Sequence, residues 1–405
     1  MNLPGSCDVT ILGAGPAGSS SAALLQQAGF SVVVLEKEQF PRFVIGESLL
    51  PRCMDLLTEA GLLEAVKARD FIVKRGALFL RGAERCDFNF ATQFTKGWEW
   101  TWQVPRADFD KTLADAVAAR GVPIAFKHEV VAADFSSTPT VTYVDPEGAR
   151  RTLKSRFVID ASGYGRVLPR LLDLDAPSGF PPRKAVFAHF KGDRRKPGPD
   201  ENRIWISCEP TGAWTWVIPF SSGLTSFGVV GGLDAFERYP AQAADCLRAV
   251  LSSENYERLH EAEPVFDPRT ITAYACTVKK LHGKGFCMVG NATEFLDPVF
   301  SSGVTLALES ANRACKSIIR ELNGETVDWE TDYASYMRRG TDVFRSFVTN
   351  WYAGIVPRIL FAAVDTDQPV KQMICSVLAG YVWDLNNPFV AAHERKIAQL
   401  ARLVA

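Results

Sequence analysis

The sequence lacks the features that mark several classes of protein. Lys and Arg (45) balance Asp and Glu (46), and the formal net charge of −1 offers no attraction for nucleic acid. There is no uncharged apolar run of about 18 residues, so we predict no transmembrane segment. Internal repeats and low-complexity segments are absent too. What remains, with 47% hydrophobic and 22% charged residues, is the composition of an ordinary globular protein.

Paired cysteines and metal-spaced histidines are also missing. The nine cysteines are scattered without a CxxC pair, which favours reduced cytoplasmic thiols over disulfides or a zinc site. The five histidines show no metal spacing, so we predict no metal. The first apolar stretch is broken by glycines and no basic segment precedes it, so we expect no signal peptide. A chain of 405 residues has room for two or three domains.

The first forty residues carry the strongest pattern. Residues 9–12 form a short apolar run, and the turn Gly13-Ala14-Gly15-Pro16-Ala17-Gly18 follows at once. Residues 19–28 are predicted to form a helix, and residues 31–35 a second apolar strand that ends in Glu36. This order of strand, glycine turn, helix, strand and acid is typical of a dinucleotide-binding βαβ unit, with a plain glycine-rich turn as the alternative.

The glycines and the acid have separate predicted tasks. Gly13 permits a tight turn, Gly15 lets the backbone approach a pyrophosphate, and Gly18 lets the helix pack closely on the strand. The helix N-terminus then presents free N–H groups to the phosphates. Glu36, 18 residues after Gly18, is expected to bind ribose hydroxyls. An acid here argues against a 2′-phosphate but does not separate FAD from NAD.

The rest of the chain predicts an α/β fold in which a Rossmann-like FAD-binding domain of the hydroxylase type is interrupted by a second domain. The FAD-binding domain is predicted to comprise residues 1–80, 105–165 and 270–325. An inserted antiparallel β-sheet substrate domain comprises residues 81–104 and 166–269, and a helical C-terminal segment comprises residues 326–405.

Some local predictions accompany this plan. Residues 98–104 alternate aromatic and polar side chains, which predicts a strand. Residues 271–277 are predicted to return to the nucleotide-binding sheet. Ser48 and Pro51 are typical of a capped helix start. The C-terminal segment carries many aromatics that look exposed. We expect it to cover the substrate entrance, with a helical core or a dimer contact as the alternatives.

Three further motifs resemble those of one enzyme family. Residues 214–219 read Trp-Thr-Trp-Val-Ile-Pro and fit the WxWxIP motif of the flavin-dependent halogenases. Residues 295–303 fit that family's Phe-x-x-Pro-x-x-Ser-x-Gly motif, and Lys74 stands where its essential lysine is expected. Residues 40–51 are similar as well. The resemblance covers about residues 8–325 and is greatest to the branch that acts on phenols, pyrroles and carrier-protein-bound substrates.

The resemblance implies a two-component FAD-dependent halogenase, an oxidoreductase of natural product biosynthesis. Such enzymes use FADH2, O2 and chloride or bromide to make hypohalous acid. The acid is guided through a tunnel to Lys74, where an electron-rich aromatic substrate is chlorinated or brominated. No nicotinamide site is evident, so a separate flavin reductase is implied as the source of FADH2. The arene, its attachment to an acyl or peptidyl carrier protein, the halide and covalent attachment of FAD are left open.

Together the motifs and the resemblance assign site residues. The catalytic residue is Lys74, and the halide-binding residues are Ser301, Ser302 and Gly303, at a helix start whose N–H groups suit an anion. The tunnel residues are Trp214, Trp216, Ile218, Pro219 and Phe295. The cofactor-binding residues are Gly13, Gly15, Ala17, Gly18, Glu36, Lys37, Arg42, Ser48, Arg106, Val130, Asn291, Pro298, Gly303 and Val304. Asn291 departs from the Gly-Asp of related flavoproteins, although its amide still accepts a hydrogen bond.

Each assignment has a plainer alternative. Lys74 is also typical of a solvated strand edge. As a site residue it donates a hydrogen bond to hypohalous acid when protonated, or forms a haloamine when neutral, which requires burial to lower its pKa from about 10.4. The two tryptophans are also typical of core packing, and residues 298–303 of a capped helix start. For the whole protein, the alternatives are an FAD monooxygenase, a reductase of the geranylgeranyl-reductase kind and a non-catalytic flavoprotein.

Overall fold

Two large β-sheets and a set of C-terminal helices make up the computed structural model, which describes residues 3–362 and 368–404. The strands, numbered along the chain, are β1 (Ser6–Leu12), β2 (Val32–Glu36), β3 (Ile72–Lys74), β4 (Gly76–Arg81), β5 (Glu84–Asn89), β6 (Thr101–Gln103), β7 (Ile124–Phe126), β8 (Glu129–Asp134), β9 (Thr140–Val144), β10 (Arg150–Asp160), β11 (Asp175–Ala176), β12 (Arg183–Lys191), β13 (Trp205–Cys208), β14 (Trp214–Pro219), β15 (Thr225–Gly232), β16 (Glu263–Pro264), β17 (Arg269–Thr272), β18 (Thr277–Val278), β19 (His282–Gly283) and β20 (Phe286–Met288). The helices are α1 (Pro16–Gln27), α2 (Arg52–Glu59), α3 (Leu63–Lys67), α4 (Arg106–Ala118), α5 (Val167–Leu171), α6 (Ala243–Leu251), α7 (Ser302–Leu322), α8 (Ser335–Tyr352), α9 (Ile355–Phe361), α10 (Gln368–Leu378), α11 (Pro388–Ala391) and α12 (His393–Leu403).

The first sheet runs in the order β19-β20-β10-β1-β2-β7, and β9 with β8 is attached to β10. β1 lies between β2 and β10 and is parallel to both. Its residues Val9 and Ile11 are fully buried, as expected for a parallel strand covered on both faces. Parallel pairing brings the carboxyl ends of these strands to one edge, where ligands bind in sheets of this kind. The predicted Rossmann-like α/β fold is confirmed.

The second sheet runs in the order β16-β12-β15-β14-β13-β4-β5, with β17 paired to β12. It is antiparallel throughout β12, β15 and β14, whereas β13 and β4 are parallel. The expectation that residues 271–277 return to the first sheet is wrong. Ile271 pairs with Ala185 of β12, because the edge of that strand is open to a further partner there, and the chain rejoins the first sheet only at β19 and β20. The division into domains stays a prediction.

The predicted strand over residues 98–104 is shorter than expected. Only β6 is extended, and it pairs with β3. Trp98, Trp100 and Trp102 instead stack edge to face in sequence, with ring centroids 5.5 and 5.1 Å apart. The three rings pack against one another, and only residues 101–103 pair with another strand. The alternation of aromatic and polar residues therefore predicts a strand that is too long.

The C-terminal aromatics belong to the core. Phe344, Phe347 and Trp351 on α8 are buried in the main hydrophobic cluster. The expectation of exposed aromatics is therefore wrong, because these side chains pack inward on the body of the protein, while the predicted helical character of this region is confirmed. Within the described residues, no helix is both long and apolar enough to span a membrane.

Residues 379–384 form hydrogen bonds with two segments from the N-terminal quarter of the chain. The carbonyl oxygen of Ala379 accepts a hydrogen bond from the backbone N–H of Arg52 at 3.0 Å. The Tyr381 hydroxyl accepts one from the backbone N–H of Trp98 at 2.8 Å. The C-terminal region thus holds the start of α2 and the approach to β6 in place.

Candidate active site

A cavity of about 510 Å³ opens at the carboxyl ends of β1, β2 and β10 and reaches β13 and β14 of the second sheet. Its size is within the range of small-molecule sites. Most predicted site residues line it, namely Gly13, Gly15, Ala17, Glu36, Lys37, Arg42, Ser48, Arg106, Val130, Trp214, Trp216, Ile218, Asn291, Phe295, Pro298, Ser301, Gly303 and Val304. Gly18, Lys74, Pro219 and Ser302 do not line it.

The glycine turn after β1 has the shape of a phosphate cradle. Gly13 has a φ of +101°, and a Cβ there would lie 2.6 Å from the carbonyl oxygen of Ala161. A Cβ on Gly18 would overlap the Gly13 carbonyl, which is why α1 can pack so closely on the turn. Gly15 is open on the cavity side, and α1 begins directly after it with unpaired N–H groups. These residues fit the pyrophosphate of a dinucleotide.

Glu36 ends β2 at the cavity wall. Its carboxylate accepts a hydrogen bond from the backbone N–H of Ala14 at 2.8 Å and from that of Glu38 at 2.9 Å. These two bonds fix the carboxylate beside the glycine turn and leave further lone pairs for a ligand hydroxyl. The geometry agrees with the ribose role that the sequence pattern predicts.

Two arginines and one aspartate form an ion cluster beside the glycine turn. Arg106 donates to both carboxylate oxygens of Asp110, at 2.8 and 3.1 Å, and to the carbonyl oxygen of Ile45 at 2.9 Å. Arg42 donates to the same carboxylate at 3.2 Å, and its other terminal nitrogen lies 3.3 Å from the Cβ position of Gly15. Most N–H donors of Arg106 are therefore used in hydrogen bonds within the protein. Arg42 is the better placed of the two arginines to bind a phosphate.

Lys74 is buried directly behind the cavity wall. Its Nζ donates to the Ser48 hydroxyl at 2.7 Å and to the carbonyl oxygen of Leu49 at 2.8 Å. Burial lowers the pKa of Lys74 from 10.5 to about 7. The alternative of a solvated strand edge is therefore wrong. So is the helix cap expected at Ser48, because that hydroxyl accepts from the lysine and α2 begins without a side-chain cap.

The two tryptophans of β14 form one wall of the cavity. Trp214 and Trp216 point to the same face, as residues two apart on a strand do, and their ring centroids are 5.9 Å apart. Gly228, opposite Trp216 on β15, has no side chain, and a Cβ there would overlap the indole. The two tryptophans therefore pack in the core and also line the cavity, so the expectation of core packing and the expectation of a cavity wall both apply.

A buried hydrogen-bond network joins this wall to the C-terminal helix α8. The Trp214 indole N–H donates to the Tyr352 hydroxyl at 2.9 Å, and that hydroxyl donates to Asp297 at 3.0 Å. Tyr274 and Arg183 donate to the same carboxylate oxygen, at 2.9 and 3.1 Å. Burial raises the pKa of Asp297, and the Arg183 guanidinium opposes that shift. The network fixes the start of the loop that leads to α7.

The start of α7 lies at the far edge of the cavity. Ser301 has a left-handed φ of +56° and precedes the first helical residue, Ser302. The first N–H groups of this 21-residue helix have no helical partner, and the positive end of its dipole lies here. The carboxylate of the same loop, Asp297, is turned into the network described above. The helix start therefore offers N–H donors without a competing acid.

Comparison with known proteins identifies the family of the chain. A family model described as an FAD binding domain matches residues 6–350. A 1H-pyrrole-2-carbonyl-(peptidyl-carrier protein) chlorinase from Pseudomonas fluorescens is 31% identical, over 93% of this chain and 89% of that protein. The corresponding brominase from Pseudoalteromonas luteoviolacea is 30% identical, over 82% of this chain and 81% of that protein. The chain belongs to the flavin-dependent halogenase family.

Solved structures agree with the fold of the halogenase. The flavin-dependent brominase Bmp2 superposes with a TM-score of 0.85 at 26% identity, covering 99% of this chain and 100% of that one. A flavoprotein/dehydrogenase from Cytophaga hutchinsonii superposes with a TM-score of 0.95 at 50% identity, covering 98% of both chains. The cofactor of the halogenase is FAD, and the glycine cradle with its acid and arginine fits this group.

Sequence reasoning missed part of the halogenase site. Asp110, which orients both arginines, follows Arg106 by one turn of α4, and that spacing is a readable ion-pair signal. Tyr164, Ile204 and Ile206 line the cavity as well. They have no motif of their own, and the pairing of β13 with β14 places Ile206 opposite Trp216.

Proposed function

We propose that this halogenase chlorinates or brominates an electron-rich, pyrrole-like arene held on a carrier protein, with hypohalous acid guided from the flavin cavity to Lys74. When bound as FADH2, the cofactor supplies the two electrons with which O2 and halide give hypohalous acid and water. The arene then exchanges one C–H hydrogen for halogen, and the second oxygen leaves as water. The residues of this chain bind, separate and orient these reactants.

The observation that carries the proposal is the contact between Lys74 and Ser48. Ser48 lines the cavity, and Lys74 lies one hydrogen bond behind it. Two N–H groups of the ammonium are used by Ser48 and Leu49, so the protonated lysine has a third to donate to the oxygen of hypohalous acid. Because burial lowers the pKa of Lys74 to about 7, the amine titrates near neutral pH.

The tryptophan wall supports separation of the two reactions. Trp214 and Trp216 fill the cavity side of β14 and are both buried. We propose that their bulk keeps an arene away from the flavin, which suppresses direct hydroxylation. The halide is proposed to bind at Ser301, Ser302 and Gly303, because the α7 N-terminus supplies N–H donors and positive potential there.

The partners are proposed from the same evidence. Two relatives that are at least 30% identical are named for pyrrole on a peptidyl carrier protein, which supports a tethered substrate. A separate flavin reductase is proposed as the source of FADH2, since no nicotinamide-binding pattern accompanies the glycine turn. A cytoplasmic location suits the nine free cysteines.

The test combines the protein with FAD, a flavin reductase, NADH and either bromide or chloride. Mass spectrometry follows free phenols, free pyrroles and a pyrrole-2-carbonyl carrier protein, with Lys74→Met as the variant and Lys111→Met, an exposed surface lysine, as its control. We expect halogenated arene from wild type and from Lys111→Met but not from Lys74→Met. Bound FAD, measured by absorbance, should be equal in all three.

Two outcomes would contradict the proposed enzyme class, and a third would contradict the role of Lys74. Oxygenated arene without halogenated product would indicate a monooxygenase. Substrate oxidation that is independent of halide would favour a dehydrogenase, for which the 50% identical flavoprotein/dehydrogenase is the supporting observation. Halogenation by Lys74→Met at the wild-type rate would leave the enzyme class intact but remove the lysine from it.

A further inference from the structure

Lys74 crosses a strand whose polar side chains have no assigned role. Lys74 lies opposite Thr101 in the antiparallel pair of β3 and β6, and Ile72 lies opposite Gln103. On the other side of β6, Ser48 forms a bridge with Gln103. Because the lysine reaches Ser48, its side chain passes over the face of β6 that carries Thr101 and Gln103. These two residues therefore lie on the face of β6 that the lysine side chain crosses on its way to Ser48.

Both side chains are fully buried and each has one polar atom without a partner. The Thr101 hydroxyl and the Gln103 carboxamide oxygen make no hydrogen bond with any described residue. The orientation of the amide is fixed, because its nitrogen donates to the carbonyl oxygens of Pro219 at 2.8 Å and Asn202 at 3.2 Å. The nitrogen of Gln103 thus faces these two carbonyl groups, and the oxygen points in another direction.

Two buried polar atoms without partners, beside a buried lysine, need an explanation. An unpaired buried group destabilises the folded state, and such groups are uncommon in native proteins. A ligand that pairs with both atoms and with the lysine must offer an O–H donor to the amide oxygen and an acceptor to the lysine and the hydroxyl. Hypohalous acid has one O–H and one oxygen with lone pairs, so it matches this set.

We propose that Thr101 and Gln103 bind the hypohalous acid beside Lys74, an inference that rests on the function proposed above. Lys74 and the Thr101 hydroxyl donate to the oxygen of the acid, and the Gln103 carboxamide oxygen accepts its O–H. All hydrogen-bonding positions of the acid are then engaged, and the halogen is left to face the arene. The three residues would hold the electrophile in one orientation and keep it from escaping into solution.

The test exploits the unpaired state of the Thr101 hydroxyl. If the residue is only structural, Thr101→Val removes a buried orphan and leaves stability unchanged or raised. Wild type, Thr101→Val, Thr101→Ser and Gln103→Met are compared under turnover with bromide, a phenol, a pyrrole and monochlorodimedone as a scavenger of free hypohalous acid. The readout is the ratio of halogenated arene to halogenated scavenger. Ser155→Ala, which removes an unpaired buried hydroxyl on β10 in the first sheet, is the matched control.

We expect Thr101→Val and Gln103→Met to lower this ratio about fivefold or more for both arenes, while total oxidant and bound FAD stay at wild-type levels. Thr101→Ser should restore most of the ratio, and Ser155→Ala should not change it. An unchanged ratio in both variants, with wild type active and Lys74→Met inactive, overturns this inference alone. A change in the ratio for only one of the two arenes also overturns it, because Thr101 and Gln103 would then bind the substrate and not the oxidant. Wild type that yields neither halogenated product overturns the proposed function as well.

Discussion

The burial of Lys74 should make the stability of the protein depend on pH in a way that one substitution removes. The folded lysine has a pKa of about 7, whereas an unfolded lysine titrates near 10.5. The unfolded chain therefore binds more protons between these values, and the free energy of unfolding rises with pH across that window. Lys74→Met has a similar length and no charge, so its stability should lack this component.

The magnitude follows from the two pKa values. When the lysine is charged in both states, below about pH 7, its burial costs the folded state about 5 kcal/mol. At about pH 9 the folded lysine is neutral, and the cost falls to about 2 kcal/mol. Wild type should therefore gain about 2–3 kcal/mol relative to Lys74→Met between pH 6 and pH 9. Contributions that do not depend on the charge of the amine, such as the packing of the side chain, shift both ends of this comparison equally.

Urea unfolding of both proteins at several pH values, at one fixed FAD concentration, measures the difference. The difference between the two free energies of unfolding removes the contributions of all other titrating groups, because the two proteins share them. A difference that stays constant from pH 6 to pH 9 would refute the reasoning, because it would mean that Lys74 titrates in the folded protein as it does in water. A fall in the difference as pH rises would have the wrong sign and would refute it equally.

Other substitutions probe the walls of the cavity. Gly15→Ala should fold normally but bind FAD about tenfold more weakly by flavin fluorescence titration, and equal affinity would contradict the phosphate cradle. Gly228→Ala places a Cβ against the Trp216 indole and should lower the free energy of unfolding by about 1–3 kcal/mol in urea. Tyr352→Phe leaves the Trp214 indole N–H unpaired and should cost about 1–3 kcal/mol, while an unchanged thermal midpoint would mean that this bond contributes nothing.

The parts of the fold that are local in sequence could be predicted. The βαβ unit around Gly13 and Gly15 is encoded by a strand, a turn and a helix that follow one another, so the pattern and the contacts coincide. The motif beginning at Trp214 is local as well, because it forms one strand in which every second residue faces the cavity. The long helix α7 begins at Ser302, within the helix start that residues 298–303 indicate.

The parts that depend on distant pairing could not be predicted. The partner of Ser48 is Lys74, 26 residues away, and the sequence around Ser48 resembles a helix cap in every local respect. The strand that begins near Ile271 joins the second sheet because an edge of β12 is available, which its own residues do not reveal. The inward packing of the C-terminal aromatics likewise requires a surface that other segments build.

The contacts of residues 379–384 also set an order of events during synthesis. Domains generally fold from the N-terminus as the chain leaves the ribosome, so the glycine cradle is available early. Trp98, which leads into β6, has its backbone N–H held by Tyr381, a residue translated near the end. A growing chain can thus form the flavin cradle well before it can complete the surroundings of the lysine. The part of the site that is proposed to hold the oxidant is therefore completed last.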